Sequence, residues 1–393
     1  MPLDIAASSP EIVIPQPPAD APIQFFDLKA QQALVRDKVE ARFSTILDHG
    51  RHIGGPEVDE LEAKLAEVTG AADAVAVGSG TQALVMPLIA LGYGHGDAVF
   101  IPAFTYNATA NAVLLAGATP VFVDVDLKTF NMCPVDLERQ IKAVKARRDL
   151  RARAVMPVDL YGLPADYDAI LPIADAYGLR VVADGAQAFG GKLNGKWVGA
   201  IAEITGTSFY PTKSLGGYGD GGAILTTDKD FADILRSIRW HGTDSQRKVS
   251  VRVGINGRCD SIQCAVVSEK LEIFGAEYQR RQAIASIYDQ RLEGVVERQQ
   301  AQPGALSGYG LYTVSVENRD SVRAKLQNAG VPTAIYYDTP LQDMEAFKHY
   351  AGADPLSNSR KAATQVLSLP MHPYLSDGQA HRICDAFEQA IKP

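Results

Sequence analysis

From about residue 70 the chain alternates short apolar runs with stretches of helical period. "ADAVAVGSGTQALVMPLIALG" reads as strand, glycine turn and helix, and "DAVFIPAFTYNATANAVLLAG" repeats the plan. "TPVFVDVD" and "RAVMPVDLYG" read as strands, and "YDAILPIADAYGLRVVADGAQAFG" as helix, strand and turn. "GTSFYPTK" and "GGAILTTD" read as two strands around a loop. Strands separated by helical segments predict an α/β protein with a mostly parallel sheet. Past residue 260 the pattern changes. "SIQCAVVSEKLEIFGAEYQRRQAIASIYDQRLEG" predicts one long helix, and "GLYTVSVEN", "RDSVRAKLQNAG" and "TAIYY" predict an α+β unit. The expected division is a Pro- and Ala-rich segment over 1–24, read as a flexible arm or an edge extension, a large domain over 25–265 and a small C-terminal domain over 266–393. Pro87, inside the helix after the first glycine turn, predicts a kink or an early stop.

Composition adds exclusions more than assignments. The 393 residues are 46% hydrophobic and 21% charged, as in an ordinary globular protein. Lys and Arg number 38 against 46 Asp and Glu, a net charge of −8 that argues against general nucleic-acid binding. It leaves room for a local basic site. The four cysteines form no CxxC pair and no His/Cys metal pattern, so they predict reduced thiols in a cytoplasmic protein with no metal site. No apolar run approaches the length of a membrane span, and the "IVI" of the arm is too short for a signal peptide.

Three strand ends carry unusual residues. Gly78, Gly80 and Thr81 sit at a strand-to-helix turn, where free amides and the helix dipole favour an anion. Asp184 ends a strand, with Gln187 three residues on. Ser208 ends another and leads to Lys213, which precedes a loop with five glycines in "TSFYPTKSLGGYGDGG". Ligands of open parallel sheets bind beyond the carboxyl ends of the strands. A phosphate cradle, a carboxylate and a lysine together are what pyridoxal 5′-phosphate needs: a seat for its phosphate, a partner for its ring nitrogen and an amine for its aldehyde. Singly, each has a plainer reading. Glycine turns are common, Asp184 would serve as a helix cap, and Lys213 as a surface lysine beside a turn.

In combination the motifs carry more. "GSGTQAL", "PAFTYNATANAV", "GATPVFVDVD", "DLYGLPADYDAI", "VVADGAQAFG", "TSFYPTKSLGGYGDGGAI" and "GINGRCDSIQCAVV" occur in one order, between "FFDLKAQQ" and "LSLPMHPYL". By these the chain resembles the DegT/DnrJ/EryC1/StrS family of PLP-dependent nucleotide-sugar aminotransferases. The resemblance implies a fold type I, aspartate-aminotransferase-like architecture: a large domain on a mostly parallel seven-stranded sheet, and a small α+β C-terminal domain. It also implies a homodimer with shared active sites. By position, Lys213 matches the Schiff-base lysine, Asp184 the partner of the pyridinium and Gln187 the residue near the ring hydroxyl. Gly80, Thr81 and Ser208 match the phosphate cup. Tyr106 matches the aromatic stacked on the ring, its plain alternative being core packing. Asn256 matches an asparagine that reaches the phosphate held by the partner subunit. The implied reaction takes the amino group of L-glutamate, releases 2-oxoglutarate and aminates a keto sugar, with pyridoxamine 5′-phosphate between the two halves.

The substrate is less legible. Residues 236–258 hold Arg236, Arg239, Arg247, Lys248, Arg252 and Arg258 with only Asp244 acidic, and a solvated loop face suits most of them. Arg258 lies two residues from Asn256, where a guanidinium would grip a carboxylate or a pyrophosphate. "GYGDGGAI", "RVGINGR", "KLEIF" and "LPMHPYL" look most like the subgroup that aminates C3 of UDP-linked 3-keto-N-acetylglucosaminuronate. One departure is Tyr336, a candidate substrate contact that stands where many members carry histidine. Other expectations stay open: the same chemistry on a 3-keto- or 4-keto-6-deoxy sugar, or a non-catalytic PLP-binding regulator. A nicotinamide enzyme is disfavoured, since Gly217, Gly219 and Gly221 form a GxGxG run in a loop between strands.

Overall fold

The computed structural model describes residues 12–147 and 149–392. Two helices open the chain, α1 (Leu28–His49) and α2 (Pro56–Thr69). Strands and helices then alternate: β1 (Asp73–Val77), α3 (Gly80–Ala90), β2 (Asp97–Pro102), α4 (Asn107–Leu115), β3 (Thr119–Val123), α5 (Pro134–Arg147), β4 (Arg151–Val155), α6 (Tyr167–Tyr177) and β5 (Arg180–Asp184). A small hairpin, β6 (Lys192–Leu193) and β7 (Lys196–Trp197), precedes β8 (Ile204–Ser208), β9 (Gly222–Thr226) and α7 (Lys229–Arg239). The long helix α8 (Ser261–Leu292) leads to β10 (Glu297–Arg298), β11 (Ala305–Leu306), β12 (Tyr312–Ser315), α9 (Arg319–Asn328), α10 (Ser357–Gln365), β13 (Val366–Leu369) and α11 (Asp377–Ala390).

The main sheet has seven strands in the order β1-β9-β8-β5-β4-β2-β3. Only β9 runs against the others. Helices cover both faces, which is why these strands read as near-continuous apolar runs. One apolar cluster packs Val75, Ile101, Val182 and Ile224 of the sheet against α3, α4 and α7. Another packs the opposite face against α2 and α8, through Leu61, Phe209, Leu215, Leu225, Val267 and Phe274. Turn chemistry sets the element ends. Ser79 caps α3 by accepting from the Gln82 amide, Asp228 caps α7, and left-handed Gly50, Gly70 and Gly178 close α1, α2 and α6.

The long helix joins the two cores. Up to Tyr278 its apolar side chains pack under the main sheet, and from Ile284 onward they join Tyr312, Val314, Leu326, Ile383 and Phe387 in a separate C-terminal core. That core is built on the antiparallel sheet β10-β12-β13 with α9 and α11.

Several local expectations need correction. Part of the arm expected to be flexible, residues 1–11, lies outside the described residues. The remainder is docked. Ile23 is buried in the C-terminal core and Ile14 packs on Ala276 and Tyr374. Arg382 donates to the Ala19 carbonyl at 2.6 Å, and Gln379 Nε2 donates to those of Ala21 and Pro22. Helix α3 continues through Pro87 and ends about one turn later, at Ala90. "TAIYY" is not a full strand and makes a single bridge, Ala334 to Ser368. The β6–β7 hairpin was not foreseen, although Asn194-Gly195, with φ of 50° and 79°, is the dipeptide that a tight hairpin favours. Among the described residues no helix is long and apolar enough to cross a membrane.

Candidate active site

The carboxyl ends of β1, β8 and β5 lie side by side once β9 is threaded between the first two. Gly80 begins α3 directly against Ser208 at the end of β8. A Cβ at residue 80 would stand 2.7 Å from the Ser208 Cβ, so only glycine permits this approach. The amides of Gly80 and Thr81, in the first turn of α3, have no acceptor within the helix. Ser208 Oγ accepts from the Tyr210 amide at 3.3 Å. Two free amides, a hydroxyl and a helix N-terminus therefore meet at one point, suited to a phosphate.

Asp184 and Lys213 face each other beside this point. Asp184 is 4% exposed; its Oδ2 accepts from Thr109 Oγ1 at 2.8 Å and its Oδ1 from the Ala186 amide at 3.2 Å. Burial raises the Asp184 pKa, and the hydrogen bonds with Thr109 and Ala186 and the charge of Lys213 oppose that rise. Burial likewise lowers the pKa of Lys213, opposed by the charge of Asp184. Lys213 is only partly covered as a residue, but its amine is the desolvated end. The lysine is thus biased toward a free amine, the form that acts as nucleophile and base.

A cavity of about 60 Å³ adjoins the amine, lined by Lys213, Phe26, Gln187, Gly310, Tyr336 and Tyr337. Gln187 Oε1 accepts from the Tyr161 amide at 2.8 Å, and its Nε2 donates to the Tyr337 hydroxyl at 3.0 Å. The Tyr161 hydroxyl donates in turn to the Tyr336 carbonyl. Tyr106 caps α4 and is 55% exposed, with its ring 5.9 Å from that of Tyr337. It is not packed into the core. A larger groove, about 1030 Å³, lies in the C-terminal domain between the end of α8 and β12, and none of the expected site residues lines it.

The segment 256–258 runs along the end of β1. The Gly78 amide donates to the Gly257 carbonyl at 3.0 Å, and Gln82 Nε2 donates to that of Asn256 at 3.1 Å. The Asn256 side chain is exposed and has no hydrogen-bond partner among the described residues. Arg258 stacks on the Trp240 indole at 4.7 Å, and Arg247 on the same ring at 3.7 Å. Among the described residues no carboxylate pairs with Arg258. The upstream arginines behave differently: Arg236 binds Asp73 and Glu62, and Arg239 binds Glu62 and the Ala76 carbonyl. They anchor α7 to α2 and β1.

Sequence reasoning missed Thr109, Tyr161, Tyr337 and Asp159. Thr109 had a local signal, since it follows Tyr106 by three residues at the start of a helix and so shares its face. Asp159 had none. Its amide donates to the Asp184 carbonyl, its Oδ1 accepts from the Ala165 amide and the Tyr167 hydroxyl at 2.8 Å each, and its Oδ2 is buried without a partner. Burial, with the Asp184 charge adding to it, pushes its pKa up to about 7. A carboxyl raised in the folded state stabilises it below the ordinary carboxylate range and loses that contribution as pH rises to about 7. Asp159→Asn is therefore expected to gain more stability at pH 8 than at pH 5, the two gains differing by on the order of 1–3 kcal/mol. Thermal denaturation at both values checks it, and a variant less stable at pH 8 than at pH 5, relative to the unsubstituted protein, would contradict the assignment.

Residues 34–388 match the sequence pattern of the DegT/DnrJ/EryC1/StrS aminotransferase family. The chain is 46% identical over 365 residues to a UDP-2-acetamido-2-deoxy-3-oxo-D-glucuronate aminotransferase of Pseudomonas aeruginosa, covering 93% of this chain and 99% of that one. It is 37% identical to a UDP-N-acetyl-3-dehydro-α-D-glucosamine 3-aminotransferase of Acidithiobacillus ferrooxidans, covering 94% and 98%. Among solved structures it resembles NtdA of Bacillus subtilis with bound cofactor PMP. The TM-score is 0.85 and the identity 27%, with 95% of this chain and 86% of that one covered.

Proposed function

The chain belongs to the DegT/DnrJ/EryC1/StrS aminotransferase family, and we propose that it uses pyridoxal 5′-phosphate to move the amino group of L-glutamate onto C3 of a UDP-linked 3-keto-N-acetylglucosaminuronate. The observation that carries this reading is the facing pair of desolvated groups, Lys213 and Asp184, beside the contact of Gly80 with Ser208. The residues present fit the cofactor. The first turn of α3 and Ser208 would hold its phosphate, Asp184 would keep its ring nitrogen protonated, and Tyr106 would cover its face. A buried carboxylate and a buried amine, each costly alone, become favourable when such a group lies between them.

When bound, the cofactor supplies an electron sink for the carbon that loses a proton. Lys213 Nζ, whose pKa burial lowers, takes the α-proton of the amino donor and, in the second half of the reaction, returns a proton at C3 of the sugar. Glutamate leaves as 2-oxoglutarate, and the ketone becomes an amine. Phe26, Tyr336 and Tyr337 line the cavity beside the amine. Gln187 and Thr109 hold Tyr337 and Asp184 in place and take no proton themselves. Asn256, exposed and unpaired, would complete the phosphate seat of a second copy of the chain, which makes the homodimer the working unit.

Arg258 supports a uronate, since it is a guanidinium with no carboxylate partner among the described residues, stacked on Trp240. Tyr336 favours the second reading, a neutral 3-keto sugar, because a tyrosine hydroxyl brings a hydrogen bond and no positive charge. Turnover of the uronate and of its neutral counterpart distinguishes them. Arg258→Ala should lower kcat/KM for the uronate about 10²-fold, or about 2.7 kcal/mol, and that for the neutral sugar by less than about threefold. Equal losses would remove carboxylate recognition from Arg258 and move the neutral sugar ahead.

A further inference from the structure

The loop that carries Lys213 has no regular secondary structure of its own between β8 and β9. A lysine on such a loop would wander unless something fixes it. Part of the fixing is internal. The Lys213 amide donates to the Tyr210 carbonyl at 2.8 Å, and the Gly217 amide to that of Phe209 at 2.7 Å. The rest comes from one face of α8. Gln263 Oε1 accepts from the Tyr218 amide at 2.9 Å. Two turns further on, Lys270 Nζ donates to the Gly216 carbonyl at 2.7 Å and stands 4.5 Å from the centre of the Tyr218 ring. Leu215 packs into the cluster that holds Leu271. Residues 215–218 are thus held through a carbonyl, an amide, a ring and an apolar side chain, all on α8.

The glycine run follows from this grip. A Cβ at Gly217 would stand 2.8 Å from Gln263 Oε1, and one at Gly219 would stand 3.0 Å from Gln263 Nε2. A Cβ at Gly216 would stand 2.5 Å from the Pro211 carbonyl oxygen. The glycines let the loop fold back on itself and lie against the helix.

Lys270 is an expensive choice for this task. It is 2% exposed, has no carboxylate within ion-pair distance among the described residues, and Glu277, the acid that acts on it, is engaged by Gln31 and Tyr374. A leucine or methionine would fill the space without desolvating a cation. What the lysine adds is a charge-assisted hold on one carbonyl three residues from Lys213.

We propose that Lys270 is a positioning residue for the amino-transfer reaction, which, with Gln263, clamps the 215–218 turn so that the Lys213 amine stays in register with Asp184. The proposal rests on the aminotransferase reading above. It assigns Lys270 no contact with substrate; the residue acts through Gly216.

The test compares Lys270→Met and Lys270→Gln, the second keeping a neutral donor, with the unsubstituted chain. Hydrogen exchange of the cofactor-free proteins is read first. Amides of residues 213–218 should exchange about tenfold faster or more in Lys270→Met, with the strands of the main sheet unchanged. In the cofactor-loaded proteins kcat should fall by about 10- to 100-fold, as for a catalytic group displaced by a fraction of an ångström to an ångström. KM for L-glutamate should stay within about twofold, and Lys270→Gln should recover part of the loss. Unchanged loop exchange with unchanged kcat would overturn the proposal. So would loss of fold in both variants, or uniformly faster exchange throughout the chain, since either makes Lys270 a stability residue only. An unsubstituted protein that acquires no visible absorption band with pyridoxal 5′-phosphate would instead refute the aminotransferase reading, a result that cannot be confused with the others.

Discussion

Lys213→Ala is expected to abolish amino transfer, with kcat lower by at least about 10⁴-fold. Two contributions are lost together. On the proposed reading the Lys213 amine would bond the aldehyde of the cofactor, and the same nitrogen would be the base that moves the α-proton. The fold should survive. Burial disfavours the charged form of Lys213, and its amide, which closes the turn on the Tyr210 carbonyl, is unaffected by the substitution. The measurement pairs turnover with mass spectrometry after borohydride reduction. The unsubstituted chain should carry a cofactor adduct on the peptide containing residue 213, and the variant none. Small primary amines added to the variant should restore a little activity, since an amine-sized space is left beside the 60 Å³ cavity. Retained turnover in Lys213→Ala would sink the assigned role. An adduct on Lys270 would point to the other buried lysine near the loop.

Much of this site was legible because it is written in local pattern. A glycine turn after an apolar strand, and Asp184 and Ser208 at strand ends, all follow from the alternation of strand and helix. Parallel strands then bring their carboxyl ends to one edge whatever their order. What was not legible depends on long-range contacts. Thr109 reaches Asp184 across 75 residues of chain, and Gln187 meets Tyr337 across 150. The glycines after Lys213 read as turn formers, yet Gly217 and Gly219 also lie close against Gln263, a side chain on another element. What the N-terminal arm lies against was not legible for a related reason. Its Pro and Ala content gives no period, and its order comes from Arg382, Gln379 and the C-terminal core, nearly the whole chain away. Composition reports whether a segment can fold alone and says little of what it can lie against.

Asp184→Asn should separate catalysis from stability. In the cofactor-free protein Asp184 is a buried carboxyl whose pKa burial raises above the ordinary carboxylate value. A group raised in the folded state contributes stability below its unfolded pKa and loses it as pH rises through the raised value. At pH 8 the carboxylate is thus a burden on the empty protein, only partly relieved by Thr109, Ala186 and Lys213. The neutral amide can keep the Thr109 bond through its oxygen, so the empty variant should melt at or above the temperature of the unsubstituted protein at pH 8. The cofactor should invert that order. On the proposed reading its protonated ring nitrogen would give Asp184 a further opposite charge, which an amide could not match, so the thermal gain on adding pyridoxal 5′-phosphate should be smaller in the variant. With the nitrogen no longer held protonated, kcat should fall about 10²- to 10³-fold, the scale of removing one preorganised electrostatic partner in a desolvated site. Melting curves with and without cofactor, set beside turnover, read both effects from one variant. A variant that melts lower when empty yet turns over normally would mean that Asp184 holds the end of β5 together and has no part in the chemistry.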